Sequence, residues 1–231
     1  MKTLLLFDID GTLLDAAGAG KTGFYQALSE HFPTRTFPDI SMAGRTDYGL
    51  WHELVGDPAQ AAPSGFAAFL ETYAPILEER LTRHPPREVP GSSGLLREIA
   101  HHPDLVPCLV TGNIREGARH KLAALDWWEV FAQAGEWGVY GEAAPTKRTL
   151  AATLLGRWQA AHPEPFRAVF LGDTLADLEC AQHAGIPCLV VNGNRPDAAF
   201  LERGAAACWK DYLDDPVHLV ERLRALAARP A

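Results

Sequence analysis

Residues 4–12 read Leu4-Leu5-Leu6-Phe7-Asp8-Ile9-Asp10-Gly11-Thr12, and this stretch decides how the rest of the chain is read. Four consecutive apolar residues that stop at a turn signal predict a strand buried on both faces, the kind found inside parallel sheets. Such a strand delivers the residues after it to the carboxyl edge of the sheet, where open α/β folds bind their ligands. Two acids one residue apart at that edge repel each other unless a cation neutralises them. Gly11 allows a sharp turn there, and Thr12 adds a hydroxyl. A polar turn after a core strand would account for one aspartate but poorly for Asp-x-Asp-Gly-Thr.

Composition narrows the setting. A chain of 231 residues can bury one large core, with room for a small insertion. Its 47% hydrophobic and 22% charged content is ordinary for a globular protein. A net charge of −8 argues against a general nucleic-acid or anionic-membrane binder. A small anionic substrate stays compatible with it, because a local metal outweighs the global field. Cys108, Cys180, Cys188 and Cys208 form no Cys-x-x-Cys pair, and read as free thiols in a reducing compartment. The opening Met1-Lys2-Thr3-Leu4-Leu5-Leu6-Phe7 looks like a signal peptide until Asp8 cuts its apolar run short. No run is long enough to span a bilayer, so a cytoplasmic location is expected.

Outward from the first stretch, Ala16-Ala17-Gly18-Ala19-Gly20-Lys21-Thr22 imitates a nucleotide-binding P-loop but carries Asp15 where that loop needs its first glycine. It reads as a small-residue hinge that opens a helix from Thr22 to about Phe32. Helical spacing continues over Thr46–Val55, with Asp47 at the positive end, and over Ser64–Arg83, with Ser64 as cap and Pro75 as a kink or break. Pro85-Pro86 and Pro90-Gly91 form a stiff exit. An all-helical segment between two joints predicts an inserted cap domain, residues 16–89, in a core formed by 1–15 and 90–231.

From Gly91 onward, helices and strands alternate. Strands are expected at 105–110, weakly at Phe131–Ala134, then at 167–171, 188–191 and 206–208. Helices are expected over 93–101, through Ala118, Leu122 and Leu125, then over 146–160, 175–184 and 216–226. Right-handed βαβ units, and hence a parallel sheet, follow.

Polar residues stand at four points along this pattern: Asp8-x-Asp10, Thr111, Lys147, and Gly172-Asp173 with Asp177 four residues on. Three of the four follow apolar runs. Together, and in this order, they resemble the four motifs of the haloacid dehalogenase superfamily of phosphohydrolases over almost the whole chain. The resemblance implies a Rossmann-like sheet of order 3-2-1-4-5 with an all-α cap between the first two motifs. Within the helical segment, Ala43-Gly44-Arg45-Thr46-Asp47 resembles a loop of phosphoglycolate-phosphatase-like members.

The chemistry implied is hydrolysis of a small phosphate monoester in two steps through an aspartyl-phosphate. Asp8 would be the nucleophile. Asp10 would protonate the leaving alcohol and then activate water, with its pKa raised above the ordinary carboxylate value. Mg²⁺ would be held by the Asp8 side chain, the Asp10 carbonyl and Asp173. Thr111 and Gly112, with Asn113 beside them, would hold the phosphoryl group, and Lys147 would neutralise the developing charge. Asp177 would orient Lys147 or a metal-bound water. Because Pro145 precedes the cation here instead of following it, Arg148 competes with Lys147 for this role.

An acid at position 10 favours phosphoryl transfer over dehalogenation. A mutase of the β-phosphoglucomutase type shares all four motifs, and a non-catalytic binding scaffold is the third possibility. Arg45, and more weakly Lys21, would meet a second anionic group on the substrate. Asn192-Gly193-Asn194-Arg195-Pro196 reads as a turn near the rim of the site. The expected partner is a small phosphorylated metabolite, with neither nucleic acid nor membrane, for a monomer or homodimer.

Overall fold

In the computed structural model, which describes residues 1–56, 63–193 and 195–229, the opening stretch forms the central strand. Strand β1, Lys2–Phe7, runs parallel to β4, Leu105–Val110, on one side and to β6, Phe166–Gly172, on the other. Leu4, Leu5, Leu6 and Phe7 are wholly buried. Beyond β4 lies the two-residue β5, Gly138–Val139; beyond β6 lie β7, Cys188–Val191, and β8, Ala207–Trp209. The six strands are ordered β5-β4-β1-β6-β7-β8, all neighbours parallel. Counted along this sheet alone, that is 3-2-1-4-5-6. The expected five-strand order is therefore extended by one edge strand.

Alternation along β1 sorts the helices into two layers. Leu5 and Phe7 face α4 (Ser92–Ala100), α5 (Arg115–Ala123), α6 (Trp128–Gln133) and α10 (Pro216–Ala227). Leu4 and Leu6 face α7 (Leu150–Ala161), α8 (Leu175–His183) and the short α9 (Ala198–Leu201). Truncating any one of these fully buried leucines to alanine costs about 2–5 kcal/mol.

The expected strand at Phe131–Ala134 is instead the end of α6, and the edge strand forms later, at Gly138–Val139. The cause is packing: one helical turn lays Phe131 edge-on against Phe7, ring centres 6.1 Å apart, and buries it completely.

Between β1 and α4 the described residues form three inserted helices: α1 (Ala19–His31), α2 (Asp47–Val55) and α3 (Pro63–Arg83). Their shared core is aromatic, with Phe69 placed 4.8 Å from Phe24 and 4.7 Å from Trp51 between ring centres. Helix α3 begins at Pro63, so Ser64 lies in its first turn and does not cap it. It also runs unbroken through Pro75, which is exposed, as is Glu71, the residue one turn earlier whose carbonyl loses its donor. At the joints, β2 (Leu14–Asp15) pairs antiparallel with β3 (Arg87–Glu88), and the Val89 amide donates to the Leu13 carbonyl at 2.8 Å. No helix among the described residues is long and apolar enough to cross a membrane.

Candidate active site

The carboxyl ends of β1, β4 and β6 lie side by side, and they bring Asp8, Thr111 and Asp173 to one edge of the sheet. Lys147 opens a single 3₁₀ turn, Lys147–Thr149, that leads into α7. Its ammonium, with the side chain 2% exposed, lies 2.9 Å from Asp8 Oδ1 and 2.5 Å from Asp177 Oδ1. Burial works against that charge, yet Asp177 and Asp8 hold its pKa above the ordinary lysine value. Arg148 is exposed, so of the two rivals only Lys147 reaches the carboxylates.

Asp177 is fixed by its own helix. Thr174 caps α8 by accepting from the Asp177 amide, while Asp177 Oδ2 accepts from the Thr174 amide at 2.9 Å and the Asp173 amide at 3.1 Å. Its other oxygen, Oδ1, is paired with the Lys147 ammonium.

Asp8, Asp173 and Asp177 present carboxylate oxygens all within 4.8 Å of one another. Burial first, and the neighbouring acids second, push Asp173 up to about 7. Burial also raises Asp8, to about 6, although Lys147 opposes the rise. Asp173 Oδ1 is buried without a hydrogen-bond partner. An all-oxygen donor set with an unsatisfied carboxylate oxygen fits a hard divalent cation. Gly11 makes room for this cluster: its backbone is left-handed at φ 79°, and a Cβ there would stand 2.5 Å from Asp173 Oδ2. Arg195, from the predicted rim turn, donates to the Asp173 carbonyl at 2.7 Å and to Oδ2 at 3.2 Å. Asn194, in the same turn, lies outside the described residues.

The Asp10 side chain is not part of this cluster. Lys121, on α5, donates to Asp10 Oδ1 at 2.8 Å and Oδ2 at 2.6 Å, and the Asn113 amide donates to Oδ2 at 2.7 Å. Burial alone would raise the Asp10 pKa, but the Lys121 charge and these hydrogen bonds bring it below the ordinary value. The expected raised Asp10 is thereby reversed in this arrangement, for a reason absent from the motif itself. Asn113, expected at the phosphoryl group, also donates to Thr111 Oγ1 at 2.8 Å.

Lys121 escaped the sequence reading because it falls on the face of α5 that carries Ala118 and Leu122. A lysine in such a row needs a buried counter-charge, and that was the available signal. Asp47 is a second surprise. Set at the start of α2, it accepts from the Ile114 amide at 2.9 Å, while its own amide donates to the Gly112 carbonyl at 2.8 Å. Burial pushes its carboxyl up to about 7, against the pull of the Ile114 hydrogen bond.

Asp8, Asp10, Asp47, Lys121, Lys147 and Asp173 line a cavity of about 320 Å³ between the sheet edge and the inserted helices. Arg45 and Lys21 stand on its wall, but each is already paired: Arg45 with Glu53, and Lys21 with Asp39 at 2.5 Å.

Comparison with known proteins places this geometry. The profile of the haloacid dehalogenase-like hydrolases matches residues 5–182, from β1 into α8. No curated protein matches the sequence at a significant level. Among solved structures, a hydrolase from Pseudomonas syringae superposes with a TM-score of 0.65 at 20% identity, covering 95% of this chain and 99% of that one. CbbY from Rhodobacter sphaeroides, solved with phosphate, gives 0.64 at 18%, covering 93% and 96%. A candidate phosphoglycolate phosphatase from Lactobacillus plantarum gives 0.63 at 19%, covering 96% and 99%. At these identities the structural likeness concerns the fold. The profile match extends over most of the chain and takes in every strand that supplies Asp8, Thr111 and Asp173, so the protein belongs to the haloacid dehalogenase-like hydrolase family.

Proposed function

We propose that the protein is a magnesium-dependent phosphatase of small phosphate monoesters. The observation that carries this reading is a buried aspartate, Asp8, held between a lysine and a second carboxylate, Asp173, whose Oδ1 is buried without a hydrogen-bond partner. Asp8 and Asp173, with the main-chain carbonyl of Asp10, would hold the ion, which supplies charge neutralisation for the phosphate oxygens. An Asp8 oxygen attacks phosphorus in line, and the ester bond breaks to leave an aspartyl-phosphate. Lys147 neutralises charge on Asp8 and on the phosphoryl oxygens, and Thr111 with the Gly112 amide orients the group. An incoming phosphate dianion raises the proton affinity of Asp10, which then protonates the leaving alcohol. In the second step Asp10 accepts the proton of the attacking water.

On this reading residues 1–15 and 90–231 are the core and 16–89 the cap that shields the site from water. Arg45 would meet a second anionic group after exchanging Glu53 for the substrate. The phosphate complex of CbbY and the phosphatase candidate among the structural relatives support the same chemistry. A small metabolite, handled in the cytoplasm by a monomer or homodimer, completes the proposal.

The test is a screen of phosphorylated metabolites, with and without Mg²⁺, that measures free phosphate. Metal-dependent release from at least one is expected, and Asp8→Asn abolishes it while the protein stays folded. Turnover retained by Asp8→Asn refutes covalent catalysis, and hexose phosphate interconversion without phosphate release points to a mutase.

A further inference from the structure

Lys121 has no part in the steps above, yet it is among the most constrained side chains of the site. Its ammonium has three N–H groups, and three acceptors meet them: Asp10 Oδ1, Asp10 Oδ2, and Asn113 Oδ1 at 2.6 Å. Because that Asn113 oxygen accepts from Lys121, its amide nitrogen is turned to donate, to Asp10 Oδ2 and to Thr111 Oγ1. Every contact on the Asp10 carboxylate is therefore one in which Asp10 accepts. Its side chain remains 44% exposed, while that of Lys121 is 3% exposed.

A substrate anion finds no free donor on Lys121, which excludes simple substrate binding. A purely structural counter-ion would need only one contact, whereas here two donors grip both oxygens of Asp10 and tie them to Thr111. Space around the ammonium is also limited by the inserted helices, since a Cβ added at Gly20 would stand 3.5 Å from Lys121 Nζ.

We propose that Lys121 is a positioning residue for the hydrolytic half of the cycle. This rests on the phosphatase reading. With Asn113, Lys121 aims Asp10 at the water that attacks the phosphorylated Asp8. In that step the water oxygen bonds to phosphorus, and the bond from phosphorus to the Asp8 oxygen breaks with its electron pair returned to the carboxylate. The water's proton passes to Asp10. A carboxylate left free to rotate would spend most of its time misdirected, and losses of orders of magnitude follow from such misplacement.

The experiment compares wild type and Lys121→Met on p-nitrophenyl phosphate with saturating Mg²⁺. This leaving group departs without a proton, so formation of the aspartyl-phosphate does not depend on Asp10. For Lys121→Met, kcat is expected to fall about 10- to 100-fold, less than the roughly 10²–10⁴-fold a general base itself supplies, because Asp10 stays in place. KM should fall in parallel, kcat/KM should stay within about threefold, and stopped flow should show a burst approaching one nitrophenolate per enzyme. A fall in kcat/KM as large as that in kcat, without a burst, overturns the proposal, as does an unchanged kcat. Should Lys121→Met fail to fold, Lys121→Gln, which keeps a donor without the charge, takes its place under the same criteria. A wild type that releases no nitrophenolate and no phosphate is a different result, and it removes the phosphatase reading itself.

Discussion

Asp47→Asn is predicted to stabilise the protein above neutral pH and to do little below pH 5. Asp47 is buried where the inserted α2 meets the segment after β4, and burial raises its carboxyl from 3.8 to about 7. Between those values the native state retains a proton that the unfolded chain has released, so stability falls as pH rises through the window and stays low above it. Three pH units correspond to about 4 kcal/mol at 1.36 kcal/mol per unit, an upper bound for a site that can relax around its charge. Asparagine keeps the shape and the oxygen that accepts from Ile114. We therefore expect Asp47→Asn to match wild type within about 1 kcal/mol near pH 5 and to exceed it by about 1–3 kcal/mol near pH 8.5. For a chain of this size that is about 2–10 °C in Tm at the higher pH. Thermal melts of both proteins in chelator, across that range, provide the measurement. Asp8 and Asp173 contribute the same sign of slope to both, so only the difference between the curves is read. A difference that is flat with pH, or one in which the asparagine protein loses ground as pH rises, refutes the argument.

Lys147→Met leaves Asp8 and Asp177 buried without their shared cation, so denaturant unfolding at neutral pH should show a loss of about 3–5 kcal/mol. Phosphate release should vanish with it, while Arg148→Met, at an exposed position, leaves both measurements near wild type. Gly112→Ala would place a Cβ 1.9 Å from the Arg45 carbonyl, forcing the loop before α2 away from the sheet edge. A stability loss of about 1–3 kcal/mol together with a raised KM is expected, and an unchanged KM would show that this approach is irrelevant to binding. Because Asp8 and Asp173 lie near 6 and 7, adding Mg²⁺ to chelated protein near pH 6 should release protons, and fewer near pH 8.5. Calorimetry in buffers of different ionisation enthalpy measures this directly; equal release at both pH values contradicts the assignment of these ligands.

The parts of this fold that were readable in the sequence are those where one local signal suffices. β1, β4 and β6 are apolar runs with abrupt polar ends, and no other element competes for residues of that kind. Their polar ends lie together because adjacent parallel strands share a carboxyl edge, so Asp8, Thr111 and Asp173 follow from topology alone. Phe131 was misread because a run of a few apolar residues carries no period, and only its contact with Phe7 settles it as helical. Lys147 and Arg148 were indistinguishable for another reason: one residue of rotation in a 3₁₀ turn decides which is buried. For Lys121 the sequence offers only a lysine on an apolar helix face; its partner Asp10, like the Ile114 amide that meets Asp47, lies far along the chain and has no local signature.

The small β2–β3 ribbon has a consequence for how this architecture diversifies. Antiparallel pairing holds the entry and exit of the inserted segment about 5 Å apart, whatever lies between them. Any module whose two ends meet that spacing can be spliced there without disturbing the sheet behind it. Chimeras that exchange the segment at these two crossings should therefore inherit the reaction from one parent and the choice of leaving group from the other.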